Sequence, residues 1–325
     1  MLIFDYMSWR TIYIKNDQNM RVENNSLIVT GDQEKLKFYI KDIDTIIIDN
    51  TRTNISIPAI IELNKENIPI IINNRSHDPS SLILNLSGHH NPLKNFNMQL
   101  ELSLRDKQRV WKQIIVQKII NQKNLLTDLK NKINLSKDDL EKMKIYLKKV
   151  NQGDTKNMEA VAAKFYFKKL FGIYHYFVRR DDNPINGALN YGYKILASRI
   201  SSSIVKFGLN PAIGFKHKDQ LNYFNLTYDL IEPFRPLIDW IVYENNELIQ
   251  NDHLELIIRI RLIKVLSLEV IIDGKVTKVR HAIDIMVKSI ISFLENKKEN
   301  LLLPELHLPL NLREKEKNEL QGIPF

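Results

Sequence analysis

The chain changes its hydrophobic period once, near residue 90, and that change limits its architecture more than any single motif. Before it, short runs rich in Ile, Val, Thr and Tyr alternate with turn formers. Residues 11–14, 26–29, 37–40, 45–48 and 68–72 read as strands. Asn24-Asn25 and Gly31-Asp32 are turn-prone. Residues 56–64 read as a short helix or turn. A small β-sandwich-like domain of six to eight strands is expected over residues 1–90. Gly88 to Pro92 punctuates the chain, so residues 91–100 read as a linker.

After about residue 97 the period is helical. Leu104, Trp111, Ile114, Ile115, Ile119 and Ile120 recur at helical spacing, with Arg105, Lys107, Arg109, Lys112 and Lys118 at polar positions. Ser136 and Asp139 form a capping-box pattern, and Gly153 with Asp154 or Thr155 can end one helix and cap the next. Helices are expected over residues 156–170, 186–207, 234–250, 252–270 and 280–298. The expected fold class is therefore α+β, the β domain being followed by a larger all-α domain over residues 101–300. Residues 301–325 read as a C-terminal tail, frayed around the mixed charges of Arg313 to Lys317.

Composition excludes several chemistries. Cysteine is absent, which removes disulfides, thiolate metal sites and a cysteine nucleophile. A reducing cytoplasm is the expected compartment. No apolar run reaches the roughly 18 residues of a membrane span. No Walker A, Gly-x-Gly-x-x-Gly or Gly-x-Ser-x-Gly pattern is present. The formal charge of +9 is unevenly placed: residues 1–90 carry 9 Lys/Arg against 11 Asp/Glu, and residues 91–325 carry 38 against 27. The basic excess thus belongs to the helical part and suits a polyanion, most simply nucleic acid. The same excess would also suit a solvated, lysine-rich surface.

Three positions are the candidates for chemistry. Glu159 lies one turn into an alanine-rich helix; alone, such a residue is more often a solvent-facing acid. His217 follows a loop with Gly208, Pro211 and Gly214, which can hold a side chain in a fixed place; a structural histidine reads the same way. Glu232 sits in Tyr228-Asp229-Leu230-Ile231-Glu232-Pro233-Phe234-Arg235-Pro236, three residues after Asp229, which could be a helix cap. Two acids and an imidazole without cysteine suit Mg²⁺ or Mn²⁺. Spacing alone does not bring the three together. His77, His89 and His90 fall in polar loops, His175 lies among aromatics, and His253, His281 and His307 have no acids at suggestive spacing.

Taken in order, these segments resemble a known family. The stretch 109–122 with Trp111, Lys112, Lys118, Asn121 and Gln122 is one carrier, followed by 153–167 with Asp154, Glu159, Ala163 and Lys164. Asn186-Gly187-Ala188-Leu189-Asn190-Tyr191-Gly192-Tyr193, the 208–217 loop and the 229–236 run complete the set. The chain resembles, over nearly its whole length, the CRISPR-associated integrase of spacer acquisition, the universal first-numbered Cas protein, in a type II-like form. Met7-Ser8-Trp9 resembles the family's start better than Met1 does, so residues 1–6 read as an extension or a start-site choice.

The resemblance implies a function and a set of roles. The β domain would dimerise, and two homodimers would flank a dimer of the small second-numbered Cas protein in a heterohexamer. The assembly would hold a short DNA duplex, the spacer precursor, whose 3′-hydroxyls attack the CRISPR leader–repeat by transesterification. Glu159, His217 and Glu232 would ligate Mg²⁺ or Mn²⁺. Many relatives carry Asp where this chain has Glu232, and a secondary role for Asp229 is left open. Lys164, Arg179, Arg180, Lys216 and Lys218 are phosphate-contact candidates on charge alone. A type II setting adds the RNA-guided effector nuclease and an accessory ring protein as participants by analogy. Two rivals stand beside the integrase: a metal-dependent nuclease of branched or damaged DNA, and a non-enzymatic DNA-binding scaffold.

Overall fold

The computed structural model describes residues 2–4, 10–31, 34–85, 91–172, 177–179, 181–250 and 254–306. The first part holds nine strands among the described residues: β1 (Leu2–Phe4), β2 (Arg10–Ile14), β3 (Asn19–Glu23), β4 (Ser26–Thr30), β5 (Lys35–Tyr39), β6 (Ile43–Ile48), β7 (Asn54–Ile55), β8 (Ile70–Asn73) and β9 (Pro79–Ile83). One helix, α1 (Ile57–Lys65), interrupts them. The Ser56 side chain caps it by accepting from the Ala59 N–H. Asn24 and Asn25, at φ 47° and 56°, close the β3–β4 hairpin in the left-handed region that asparagine tolerates.

Two sheets result. One has the order β1-β2-β6-β8-β9 and the other β5-β4-β3-β7. The β2–β6 and β6–β8 pairs are parallel, so the domain is a mixed-sheet sandwich rather than an antiparallel one. Alternation along the strands divides the isoleucines between two cores. Ile12, Ile14, Ile46, Ile48 and Ile70 face the second sheet, whereas Tyr13, Ile47 and Ile71 join the core of the helical domain. That explains why every residue of β6 is buried.

The second part contains α2 (Pro92–Glu101), α3 (Leu104–Asp128), α4 (Lys137–Lys149), α5 (Met158–Phe171), α6 (Pro184–Lys206), α7 (Asn225–Leu230), α8 (Arg235–Glu244), α9 (Leu256–Ile263) and α10 (Val279–Leu294), with one hairpin, β10 (Glu269–Ile272) and β11 (Lys275–Lys278). The Ser136–Asp139 capping box of α4 is formed in both directions. No helix among the described residues is long and apolar enough to cross a membrane.

Three sequence expectations are corrected. Residues 91–100, read as a linker, are helix α2. The buried amide of Asn95 donates to the Phe207 carbonyl, and Gln99 both donates to the Asn210 carbonyl and accepts its N–H. The expected helix over 252–270 gives way to β10 at Glu269, because Asp273 and Gly274, both at positive φ, set a tight hairpin turn. The second part is thus mostly helical, with this one hairpin. The expected tail begins as packed chain: Leu301 and Leu306 are buried, and Asn121 on α3 donates to the Pro304 carbonyl and accepts the Leu306 N–H. Arg313 to Lys317 lie outside the described residues.

Buried ion pairs tie the two parts together. Asp49, at the end of β6, meets Arg259 of α9 at 3.0 Å and accepts from Tyr13, Asn73 (2.7 Å) and the His77 ring (3.0 Å). Arg199 of α6 lies 3.4 Å from Asp44 and 3.1 Å from Asp284.

Candidate active site

Helix α3 supplies the floor of the site. Its apolar face is buried, and that face also carries one lysine, Lys118, whose side chain is only 8% exposed. Burying an ammonium is unfavourable unless it is paired. Here it is paired twice. Lys118 Nζ lies 2.6 Å from Glu159 Oε1 and 2.5 Å from Glu232 Oε2. Burial works against the Lys118 charge, but Glu232 and Glu159 outweigh it and hold its pKa above the ordinary lysine value.

Each carboxylate is placed by local sequence. Glu159 sits in the first turn of α5, whose start is fixed by Asp154: its two carboxylate oxygens accept the Met158 and Glu159 N–H groups, both at 2.9 Å. Gly153, at φ 71°, makes the turn that presents Asp154. Glu232 opens a single 3-10 turn, Glu232–Phe234, between α7 and α8, and is almost fully buried. Burial would raise its pKa, yet Arg235, whose Nε lies 3.0 Å from Oε1, and Lys118 together hold it below the ordinary carboxylate value.

His217 comes from the loop between α6 and α7. Asp229, fully buried on α7, organises that loop. Asp229 Oδ2 accepts the N–H of Phe215 at 2.6 Å and of Lys216 at 2.9 Å, and Oδ1 lies 2.6 Å from His217 Nδ1. A carboxylate that already receives backbone donors can only accept, so the neutral ring carries its proton on Nδ1 and keeps the Nε2 lone pair free. Trp111 packs against the imidazole edge-to-face at 5.9 Å between centroids. The Asp229 bond is the main cause raising the His217 pKa; partial burial opposes it, and the charges of Asp229, Glu232 and Glu159 add to it.

The three sequence candidates therefore share one region. Glu159 and Glu232 converge on a single cation position, and both carboxylates act on the His217 ring. The cation there is Lys118. No group of three His, Asp or Glu side chains among the described residues is arranged to hold a metal ion as it stands. The donor chemistry nonetheless fits a divalent ion: two carboxylates, one imidazole with a free nitrogen, and a lysine ammonium standing where the carboxylates meet.

A cavity of about 850 Å³ opens from this point, lined by Lys118, Glu159, Lys164, Lys168, Arg179 and Arg235 among others. Lys164 and Arg179 thus face the same space as Glu159. Arg179 is held there by Asn186 (3.1 Å) and Asn190 (2.9 Å) and lies over Tyr193. Asn186 is itself buried and donates to the Val178 and Asp181 carbonyls, so it orders this segment. Lys216 turns back to the Gly153 carbonyl at 3.2 Å, and Lys218 is exposed beside the site. Arg180, His89, His90, His175, His253 and His307 lie outside the described residues.

A sequence-family comparison decides the family. Residues 12–256 match the family described as CRISPR associated protein Cas1. The chain belongs to the Cas1 family. Its relatives include the CRISPR-associated endonuclease Cas1 of Neisseria meningitidis serogroup C (strain 8013), 33% identical over 308 residues, which covers 94% of this chain and 98% of the relative. A second relative, CRISPR-associated endonuclease Cas1 1 of Saccharolobus solfataricus, is 31% identical over 58% of this chain and 57% of its own. Among solved structures, a casposase bound to integration product aligns with a TM-score of 0.73 at 22% identity, covering 96% of this chain and 98% of that one. A Cas1 protein from Thermotoga maritima aligns at 0.70 and 15% identity, covering 89% and 98%. The Cas1 fold, a β domain followed by a mostly helical domain, is the fold seen here.

Sequence reasoning in this Cas1-family chain missed one part of the site, Lys118, and left the role of a second, Asp229, open. Lys118 was one polar position among several on α3; its signal was a lysine on an otherwise apolar face. Asp229 looked like a helix cap, and its contact with His217 crosses a loop that periodicity does not describe.

Proposed function

We propose that this chain is a divalent-metal-dependent DNA integrase and endonuclease that joins short duplexes into a CRISPR array. The reading rests on one observation: Glu159 and Glu232 converge on a single buried cation position beside an imidazole whose Nδ1 is committed to Asp229. Glu159, Glu232 and His217 Nε2 would hold Mg²⁺ or Mn²⁺. When bound, such an ion supplies Lewis-acid polarisation of a phosphodiester and stabilises the leaving oxygen.

The remaining roles belong to the chain's own side chains. Asp229 fixes the tautomer and orientation of His217. Trp111 limits the ring's freedom on one side. Lys164, Lys168 and Arg179 line the adjoining cavity and would receive phosphates, with Lys216 and Lys218 at its approach. Among the described residues lining this position there is no serine, threonine or cysteine, which suits an attacking 3′-hydroxyl supplied by DNA. Duplex affinity would then fall steeply with salt, as phosphate contacts release counterions.

The Neisseria relative's description as an endonuclease supports the enzyme class. A solved Cas6-RT-Cas1–Cas2 complex has this fold in one part of its chain, with a TM-score of 0.70, 18% identity, and coverage of 91% of this chain and 36% of that one. On that basis the small Cas2-type protein is the proposed partner, with homodimers of this chain flanking it in a heterohexamer.

A strand-joining assay tests the reading. Purified protein, its small partner, Mn²⁺ or Mg²⁺, a labelled duplex with free 3′-hydroxyls and a plasmid with the leader and repeat are combined. Label should move to the plasmid with wild type and not with His217→Ala. Cutting without joining would favour a nuclease that uses water. Joining undiminished in His217→Ala would remove the metal site assigned here.

A further inference from the structure

The charges at the junction of α3, α5 and the Glu232 turn balance without any added ion. Glu159 and Glu232 bring two negative charges. Lys118 meets both, at 2.6 and 2.5 Å, and Arg235 meets the other oxygen of Glu232 at 3.0 Å. Lys118 and Glu232 are 8% and 5% exposed at the side chain, so solvent screens this set poorly. The nearby Asp229 carboxylate is directed at three backbone N–H groups and the His217 ring. The cavity wall adds three cations, Lys164, Lys168 and Arg179, against one carboxylate, Asp239, which accepts from Tyr166 and Tyr193.

A divalent ion entering this arrangement would raise an already balanced site by two positive charges. In a partly buried position that repulsion is larger than in water. A phosphodiester lying in the cavity supplies the missing negative charge. Two ligands that each relieve the other's repulsion must raise each other's affinity by the same factor.

We infer that Lys118 is a built-in counter-cation that keeps the site poorly receptive to metal until a DNA phosphate arrives, so that metal loading and DNA binding are coupled. The inference rests on the assignment of Glu159, His217 and Glu232 as metal ligands. Lys118 is thus a positioning residue: it holds the two carboxylates at one point in the empty protein and sets the condition for their loading. The device would leave the free protein unprimed for hydrolysis.

The test reads metal binding rather than activity. Free Mn²⁺ is followed by electron paramagnetic resonance at pH 8 as it is titrated into the full-length chain. The titration is run with and without a duplex whose 3′ ends are dideoxy, with duplex alone as the blank. Wild type should bind Mn²⁺ about tenfold more tightly with duplex present, within the usual range of coupling between sites. Lys118→Met and Lys118→Gln should bind Mn²⁺ about tenfold more tightly than wild type without DNA, and gain less from DNA. Circular dichroism confirms that each variant is folded, and the wild-type comparison stands without them. His217-dependent binding that is equal with and without duplex would overturn the coupling alone. Mn²⁺ binding that is absent, or that is unchanged in His217→Ala, would overturn the metal site as well.

Discussion

Asp229 Oδ1 lies 2.6 Å from His217 Nδ1, and the same carboxylate receives the backbone N–H groups that shape the loop carrying that histidine. One buried acid therefore sets both where the ring is and which of its nitrogens is free. Asp229→Asn replaces an acceptor by an amide that can donate to Nδ1, which would move the ring proton to Nε2. Mn²⁺ affinity is expected to fall about 10- to 100-fold, with strand joining falling alongside. Calorimetric titration of metal into the variant checks it; unchanged affinity would remove Asp229 from this role.

The pH dependence has a definite sign. The His217 pKa is raised, chiefly by Asp229, above the ordinary value of about 6.5. Ligation needs the neutral ring, so metal binding and joining should be lost as pH falls through that raised value. In the metal-free protein the sign reverses. The protonated ring's contacts add stability that is fully present below the unfolded histidine pKa and is lost as pH rises through the folded one. An NMR titration of the His217 ring in the metal-free protein should show a midpoint above 6.5; a midpoint below it would contradict the Asp229 assignment.

Gly214 tests the loop without touching a donor atom. A Cβ placed there would fall 2.6 Å from the His217 carbonyl oxygen and 2.9 Å from Asp229 Oδ2. Neither atom sits at the end of a flexible chain, so the loop must shift. Gly214→Ala is expected to reduce joining about 100-fold, as misplacement near 1 Å does elsewhere, while far-UV circular dichroism stays native. Full activity in this variant would show that His217 need not be held so closely.

Asp49 carries the junction between the β domain and the helices. It meets Arg259 at 3.0 Å, with both side chains buried. Asp49→Ala leaves a buried guanidinium without its carboxylate, which costs about 3–5 kcal/mol. Urea denaturation should show the unfolding free energy lowered by that amount, with the midpoint moved to lower urea and the slope unchanged. Arg52→Ala, which breaks the exposed pair with Asp17, serves as the control and should change stability by about 1 kcal/mol at most.

Much of the architecture was legible because it is written at short range. The short β-branched runs between turn formers before residue 90 and the helical period after it became strands and helices respectively. The Ser136–Asp139 capping box and the Asn24-Asn25 turn are decided within a few residues, so they were readable as such. Helix α2 was not, because its stabilising bonds reach residues 207–210 on another element. The β10–β11 hairpin was masked by an apolar run that suits helix or strand equally until the Asp273-Gly274 turn is weighed.

By itself the sequence determined the fold class, the order of the elements and the residue types at the site, because period, capping and turn chemistry act between near neighbours. Tertiary structure alone decided what those residues do to one another. Lys118 reaches Glu159 across 41 positions of chain and meets Glu232 from another element again. Nothing in the spacing of a lysine and two glutamates favours that meeting. It follows from helices packing on a shared core, where a buried charge must find partners wherever the fold places them.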